Sequence, residues 1–185
     1  MEKEIKEYLK ELKNIIDSIS VKELQSVISA ILNAYNHGRK IFVMGNGGSS
    51  ATSSHFACDI NKGVGYKLKN RPEVICLNDN IPIMLAYAND ISFEDIFVEQ
   101  LKNLIEKKDL VIAISSSGNS KNIIKAIEFA NNYGAVTVGL TGNDGGKLAS
   151  LCKYSLIVKS ADMQKIEDMH MVVVHIIMQV LSAKL

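Results

Sequence analysis

Cysteine is scarce in this chain and follows no pairing pattern. Its 185 residues hold three, Cys58, Cys76 and Cys152. An odd number with no CxxC spacing gives no disulfide framework. Each thiol stands in an apolar run, which predicts that all three are buried. Charge of either sign is not in excess, with 21 Lys and Arg against 20 Asp and Glu. The lysines are scattered, so the footprint of a nucleic-acid binder is missing and no basic patch or added helix-turn-helix segment fits. Lys62, Lys67, Lys69 and Arg71 form the one basic cluster, read as a solvated loop near enough to the first glycine turn to help hold a phosphate. No apolar run reaches the length of a bilayer span, and no cationic, apolar leader opens the chain. A cytoplasmic protein with neither membrane nor nucleic acid as partner is expected. No internal linker divides the chain, so residues 1–185 are read as one domain, with N-terminal helices over 1–38 and an α/β core over 39–185.

What the chain does have is the stretch from Ile41 to Asp59, Ile-Phe-Val-Met-Gly-Asn-Gly-Gly-Ser-Ser-Ala-Thr-Ser-Ser-His-Phe-Ala-Cys-Asp. It reads as strand, tight loop and helix. Gly45, Gly47 and Gly48 let the backbone turn its N–H groups toward a ligand. A helix opening at Ser49 or Ser50 adds free N–H groups, the positive end of its dipole and hydroxyl donors, so the ligand should be an anion. No Lys-Ser/Thr follows, which excludes the Walker phosphate loop, and the glycines lack the dinucleotide spacing. His55 and Asp59 stand four residues apart, on one face of that helix.

Two helical patterns precede this stretch, over residues 2–36, the second opened by a Ser20-Val-Lys-Glu23 capping box. The first has little sheet left to cover, so it is expected to pack on another subunit. Beyond the stretch, strands are expected over 73–77, 109–114, 135–140 and 154–158, joining the one at 40–44. Helices are expected over 49–60, 81–88, 93–106, 119–133, 145–150 and 163–181. Apolar strands alternating with helices predict a parallel sheet covered on both faces, with its ligand beyond the carboxyl ends of the strands.

The run Leu110-Val-Ile-Ala-Ile-Ser-Ser-Ser-Gly-Asn-Ser120 repeats the arrangement of strand, hydroxyl-rich turn and helix. Ser115, Ser116, Ser117 and Ser120 exceed what a helix cap needs, so one is expected to cap and the set to hold a phosphate monoester. Leu140-Thr-Gly-Asn-Asp-Gly-Gly146 has the chemistry of a tight turn, with Thr141 facing a pocket as the other reading. On the last helix Glu167 and His175 lie about 80° apart, close enough to share a cleft, whereas His170 points elsewhere as a core histidine. His175, between valines and isoleucines, is expected to be buried with a partner.

Together the strand-GNGGS turn, His55 six residues after its serine, the SSSGNS turn, LTGNDGGK and a last helix with two histidines resemble the sugar isomerase (SIS) family over nearly the whole chain, and within it the phosphoheptose isomerases. The resemblance implies a three-layer α/β/α sandwich with a five-stranded parallel sheet, a homotetramer, and an aldose–ketose isomerase acting on a sugar phosphate such as sedoheptulose 7-phosphate. By position it implies phosphate contacts at Ser49, Ser115, Ser116, Ser117 and Ser120, and substrate contacts at Asn46, Gly47, Gly48 and Asp90. It places catalysis on Asp59, His175 and Glu167, and zinc on His55, Asp59, Glu167 and His175. The chain departs from the family pattern at three places: Asp59 stands for a glutamate, Glu167 for a glutamine, and Gly63 beside Lys62 for an arginine. These departures keep a second reading, a non-catalytic phosphosugar sensor or oligomeric adaptor on the same fold.

Overall fold

The two N-terminal patterns fold as helices, α1 (Glu2–Asp17) and α2 (Val21–Asn36), in the computed structural model, which describes residues 1–185. Ser20 caps α2 by accepting the Glu23 N–H at 3.3 Å. The return half of the capping box is not made. The Glu23 carboxylate accepts the Ile157 N–H at 3.3 Å instead and ties α2 to the last strand. Only Ile15 of α1 is buried, while Ile5, Leu9 and Ile16 are exposed.

Five strands follow: β1 (Ile41–Gly45), β2 (Val74–Cys76), β3 (Leu110–Ser115), β4 (Val136–Gly142) and β5 (Tyr154–Val158). All pair in parallel, in the order β2-β1-β3-β4-β5. The chain winds outward to β2, returns past β1 to β3, and proceeds to the other edge. The switch point therefore falls between β1 and β3, where such sheets bind their ligands. The two serine-bearing turns leave the carboxyl ends of these two strands.

The helices between strands are α3 (Gly48–Cys58), α4 (Ile81–Asp90), α5 (Val98–Leu104), α6 (Lys121–Tyr133) and α7 (Gly146–Leu151), and α8 (Met163–Lys184) follows the last strand. Side chains alternate across the sheet. Ile41 and Val43 join the core beneath α2, α3 and α8, and Phe42 and Met44 the core beneath α5, α6 and α7.

Three expectations are corrected. The helix expected over 93–106 breaks into a 3-10 turn, Phe93–Asp95, and α5. Ser92 causes the break: its hydroxyl accepts the Glu94 N–H at 3.1 Å and donates to Asp95 Oδ2 at 2.7 Å, local bonds that compete with a continuous helix. Cys58 is exposed on α3, whereas burial pushes the Cys76 thiol up to about 11 and the Cys152 thiol up to about 12. Finally, α8 is long and apolar enough by composition to cross a membrane. Its apolar side is spent on the sheet, with Val173, Val174, Ile177 and Leu181 in the core.

Candidate active site

The first turn is held from both sides. Asn78, just past β2, accepts the Gly45 N–H at 3.1 Å and donates to the Gly45 carbonyl at 2.8 Å. A Cβ on Gly45 would stand 2.5 Å from the Ser49 carbonyl oxygen, so only glycine lets α3 start this close to β1. The second turn reverses at Gly118, whose φ is +62°. It rests on the turn after β4: the Leu148 N–H donates to the Gly118 carbonyl at 2.9 Å and the Gly142 N–H to the Ser116 carbonyl at 3.0 Å. The expected Leu140–Gly146 turn thus serves as a buttress. Thr141 lies fully buried behind it, away from the cleft. Between the two serine turns, the amides of Asn46 and Asn122 exchange a pair of hydrogen bonds, each 2.9 Å.

These constraints bring all five predicted serines to one hollow of about 130 Å³, lined by Ser49, Ser115, Ser116, Ser117 and Ser120 with Asn46 and Glu167. Ser115 and Ser120 hydroxyls lie 3.2 Å apart. Ser116 Oγ is buried without a partner. Ser120 occupies the N-cap of α6, yet its side chain accepts no helical N–H, so the expected cap bond is not made there. The hydroxyls and the N-termini of α3 and α6 together suit an anion. No lysine or arginine lines the hollow, and the cluster Lys62, Lys67, Lys69 and Arg71 is exposed elsewhere. Asp90 is not among the lining residues. It sits exposed at the end of α4, with Asn89 donating to it at 2.8 Å.

The titratable group assembles further along α3. His55 Nε2 is 3.0 Å from His175 Nε2, and Asp59 Oδ2 is 3.3 Å from the first and 3.8 Å from the second. His175 is exposed rather than buried, with 53% of its side-chain surface open, and its partner is His55. Glu167 is not brought to this trio. Its carboxylate lies against Gly48, where an added Cβ would stand 2.9 Å from Cδ and 3.2 Å from Oε1. Gly48 faces Glu167 as His55 faces His175, so α3 and α8 run side by side in the same direction. Eight residues of helix rise separate Glu167 from His175 by roughly 12 Å, a distance that an angular projection does not register. Asp59 opens a π-helical turn, Asp59–Val64, that continues α3. Such turns recur at functional sites.

The donor set has the composition and spacing of a metal site. Two imidazole nitrogens and a carboxylate oxygen are ordinary zinc ligands, and a tetrahedral ion at 2.0–2.1 Å sets its donors about 3.3 Å apart. The separations of 3.0, 3.3 and 3.8 Å match that edge. His55, Asp59 and His175 therefore fit; Glu167 lies outside the trio. His170 is a core residue as expected: fully buried, with Nε2 at 3.1 Å from the Thr141 carbonyl and Nδ1 unpartnered. Burial holds its imidazole down at about 4.

Sequence reasoning missed Asn78 and Asn122, which position the turns without lining the hollow. The available signal was a polar amide just past an apolar strand end and another in the first turn of an apolar helix.

A parallel sheet in this strand order, with hydroxyl-rich turns at its switch point, defines a doubly wound α/β protein that takes its ligand at the carboxyl edge of the sheet. The chain belongs to the SIS domain family, whose profile matches residues 7–142. It is 38% identical over 178 residues to a phosphoheptose isomerase of Helicobacter pylori, covering 96% of this chain and 91% of that one. It is 36% identical over 183 residues to a phosphoheptose isomerase of Aliarcobacter butzleri, covering 98% and 96%. Phosphoheptose isomerase GmhA from Neisseria gonorrhoeae superimposes with a TM-score of 0.91 at 26% identity, covering 98% of both chains. The Francisella tularensis phosphoheptose isomerase does so with 0.88 at 25%, covering 98% and 97%.

Proposed function

We propose that the chain is an aldose–ketose isomerase of a sugar phosphate, converting sedoheptulose 7-phosphate into the corresponding aldoheptose 7-phosphate. The observation that carries this reading is the placement of five serines around one hollow, with the trio of His55 on α3, Asp59 just past it and His175 on the adjacent α8 further along the same cleft. Six residues of α3 separate Ser49 from His55, roughly 9 Å of helix. That span suits an open-chain sugar of six or seven carbons, phosphate at one end and carbonyl at the other, better than a triose.

In the proposed reaction Ser49, Ser115, Ser116, Ser117 and Ser120, with the backbone at Gly47 and Gly48, hold the phosphoryl group, and Asn46 orients the chain. Asp59 presents Oδ2 to the imidazoles, leaving Oδ1 to take the proton from C1 of the ketose. The electron pair of that C–H bond forms the C1–C2 double bond and the carbonyl pair moves onto O2, giving an enediolate. Return of the proton to C2, with loss of the O1 proton, completes the aldose. His175, whose Nε2 lies 3.0 Å from that of His55, is placed to move protons between the oxygens. A zinc ion on His55, Asp59 and His175 would supply positive charge where the oxygen becomes negative.

We further propose a cytoplasmic homotetramer. The exposed Ile5 and Leu9 on α1, and Ile81 and Leu85 on α4, a helix with no buried residue, support burial against other copies. Three free cysteines suit a reducing compartment. The test is incubation with sedoheptulose 7-phosphate in deuterated water. Deuterium should enter C1 of the ketose and C2 of the aldose; absence of exchange with heptose, hexose and pentose phosphates alike would remove the isomerase.

A further inference from the structure

The hollow formed by the serine turns is unusual for a phosphate site in the charge it already contains. Its lining includes no cation and one carboxylate, Glu167. That carboxylate lies against Gly48, the first residue of α3, so closely that a methyl group there would overlap it. The α3 N-cap is Gly47, which supplies no side-chain acceptor to the helix end. Ser116 Oγ, in the same hollow, is buried and unpartnered. The positive end of a helix and a set of hydroxyls thus share one hollow with an acidic side chain of the protein itself.

We propose that Glu167 is a specificity-determining residue: an internal anion in the phosphate hollow that discriminates against bare phosphate in favour of phosphate esters carrying hydroxyl groups. The proposal rests on the phosphosugar reading of the hollow given above. A phosphoryl group entering near Gly48 and Ser49 meets a like charge, and the carboxylate must turn away. Turned away, it loses the helix end and needs other donors. Inorganic phosphate brings none to the carboxylate once its own oxygens are engaged. A sugar phosphate brings hydroxyls, which an ionised carboxylate can only accept. The serines thereby supply attraction to any phosphate, and Glu167 supplies the penalty that only a polyol chain relieves.

Glu167→Gln tests this without changing shape. Binding of inorganic phosphate and of sedoheptulose 7-phosphate is measured by calorimetry on the full chain, wild type and variant, with chelator present, so that turnover does not enter. Inorganic phosphate should bind the variant on the order of tenfold more tightly or better, because a like charge a few ångströms away has been removed. The sugar phosphate should gain less, narrowing the ratio between the two ligands. Adding Ser120→Ala should cancel the gain for phosphate. Equal or weaker phosphate binding by Glu167→Gln, an unchanged ratio, or a gain that survives Ser120→Ala would overturn the proposal. Failure of the isomerase reading would be seen separately, as absent deuterium exchange in the wild type.

Discussion

The pH dependence of stability is set in one place by His170. Its side chain is fully buried on α8, donating from Nε2 to the Thr141 carbonyl at 3.1 Å, and Nδ1 has no partner to share a second proton. Burial lowers the imidazole from 6.5 to about 4, with the Thr141 carbonyl opposing only part of the shift. Between those values the unfolded chain binds a proton that the folded chain refuses, so stability rises with pH there. The contribution is fully present above about pH 6.5 and is lost as pH falls toward 4. Linkage with these two values makes the protein about 1.4 kcal/mol less stable at pH 5.5 than at pH 8, toward a limit of about 3 kcal/mol. His170→Gln keeps an N–H donor and removes the titration. Urea unfolding at both pH values, at fixed protein concentration with chelator present, gives the double difference. Asp95 and Asp162, whose carboxyls are held low by Lys125 and Lys165, contribute equally to both proteins and cancel. The wild type should lose about 1.4 kcal/mol that the variant keeps. An equal loss in both would mean that His170 does not set this pH dependence.

Other outcomes follow from the site. Asp59→Asn should lower kcat by about 10²- to 10⁴-fold while sugar phosphate still binds; a near-normal kcat would remove Asp59 as the base. His55→Ala should weaken zinc binding by about tenfold or more, read by competition with a chromophoric chelator, because one of three clustered donors is gone; unchanged affinity would place the ion elsewhere. Asn122→Leu breaks both amide bonds to Asn46 and leaves a polar group unpaired, at about 1–3 kcal/mol. Because the register of the two turns is what suffers, KM should rise more than kcat falls, and an effect on kcat alone would contradict the clamp. Gly118→Ala would drive a Cβ onto the Gly145 carbonyl at a φ of +62°, so a melting temperature lower by several degrees is expected in thermal unfolding, and an unchanged one would mean that the turn is not rigid.

Periodicity was enough to read the sheet, its parallel sense and the two serine turns, because near-continuous apolar strands and glycine-serine punctuation are local signals. The convergence of Ser49 with Ser115 to Ser120 was also legible, since a switch point places consecutive turns side by side. Helix-face reasoning worked for His55 and Asp59, one turn apart. It does not register that two turns of rise set Glu167 and His175 at opposite ends of the cleft, where Gly48 leaves room for the carboxylate. The exposure of Cys58 and His175 was hidden for a related reason: an apolar neighbourhood in sequence does not fix which way one helical residue faces. Glu23 bonding to Ile157 rather than to its own helix is tertiary contact overriding a local motif.

If one ligand spans the serine hollow and the histidine trio, a crystal structure with sedoheptulose 7-phosphate will show phosphate oxygens within hydrogen-bond reach of Ser49 and Ser120, and C1 and C2 beside Asp59 and His175. A phosphate bound outside that hollow, or a sugar chain directed away from α8, would contradict that arrangement.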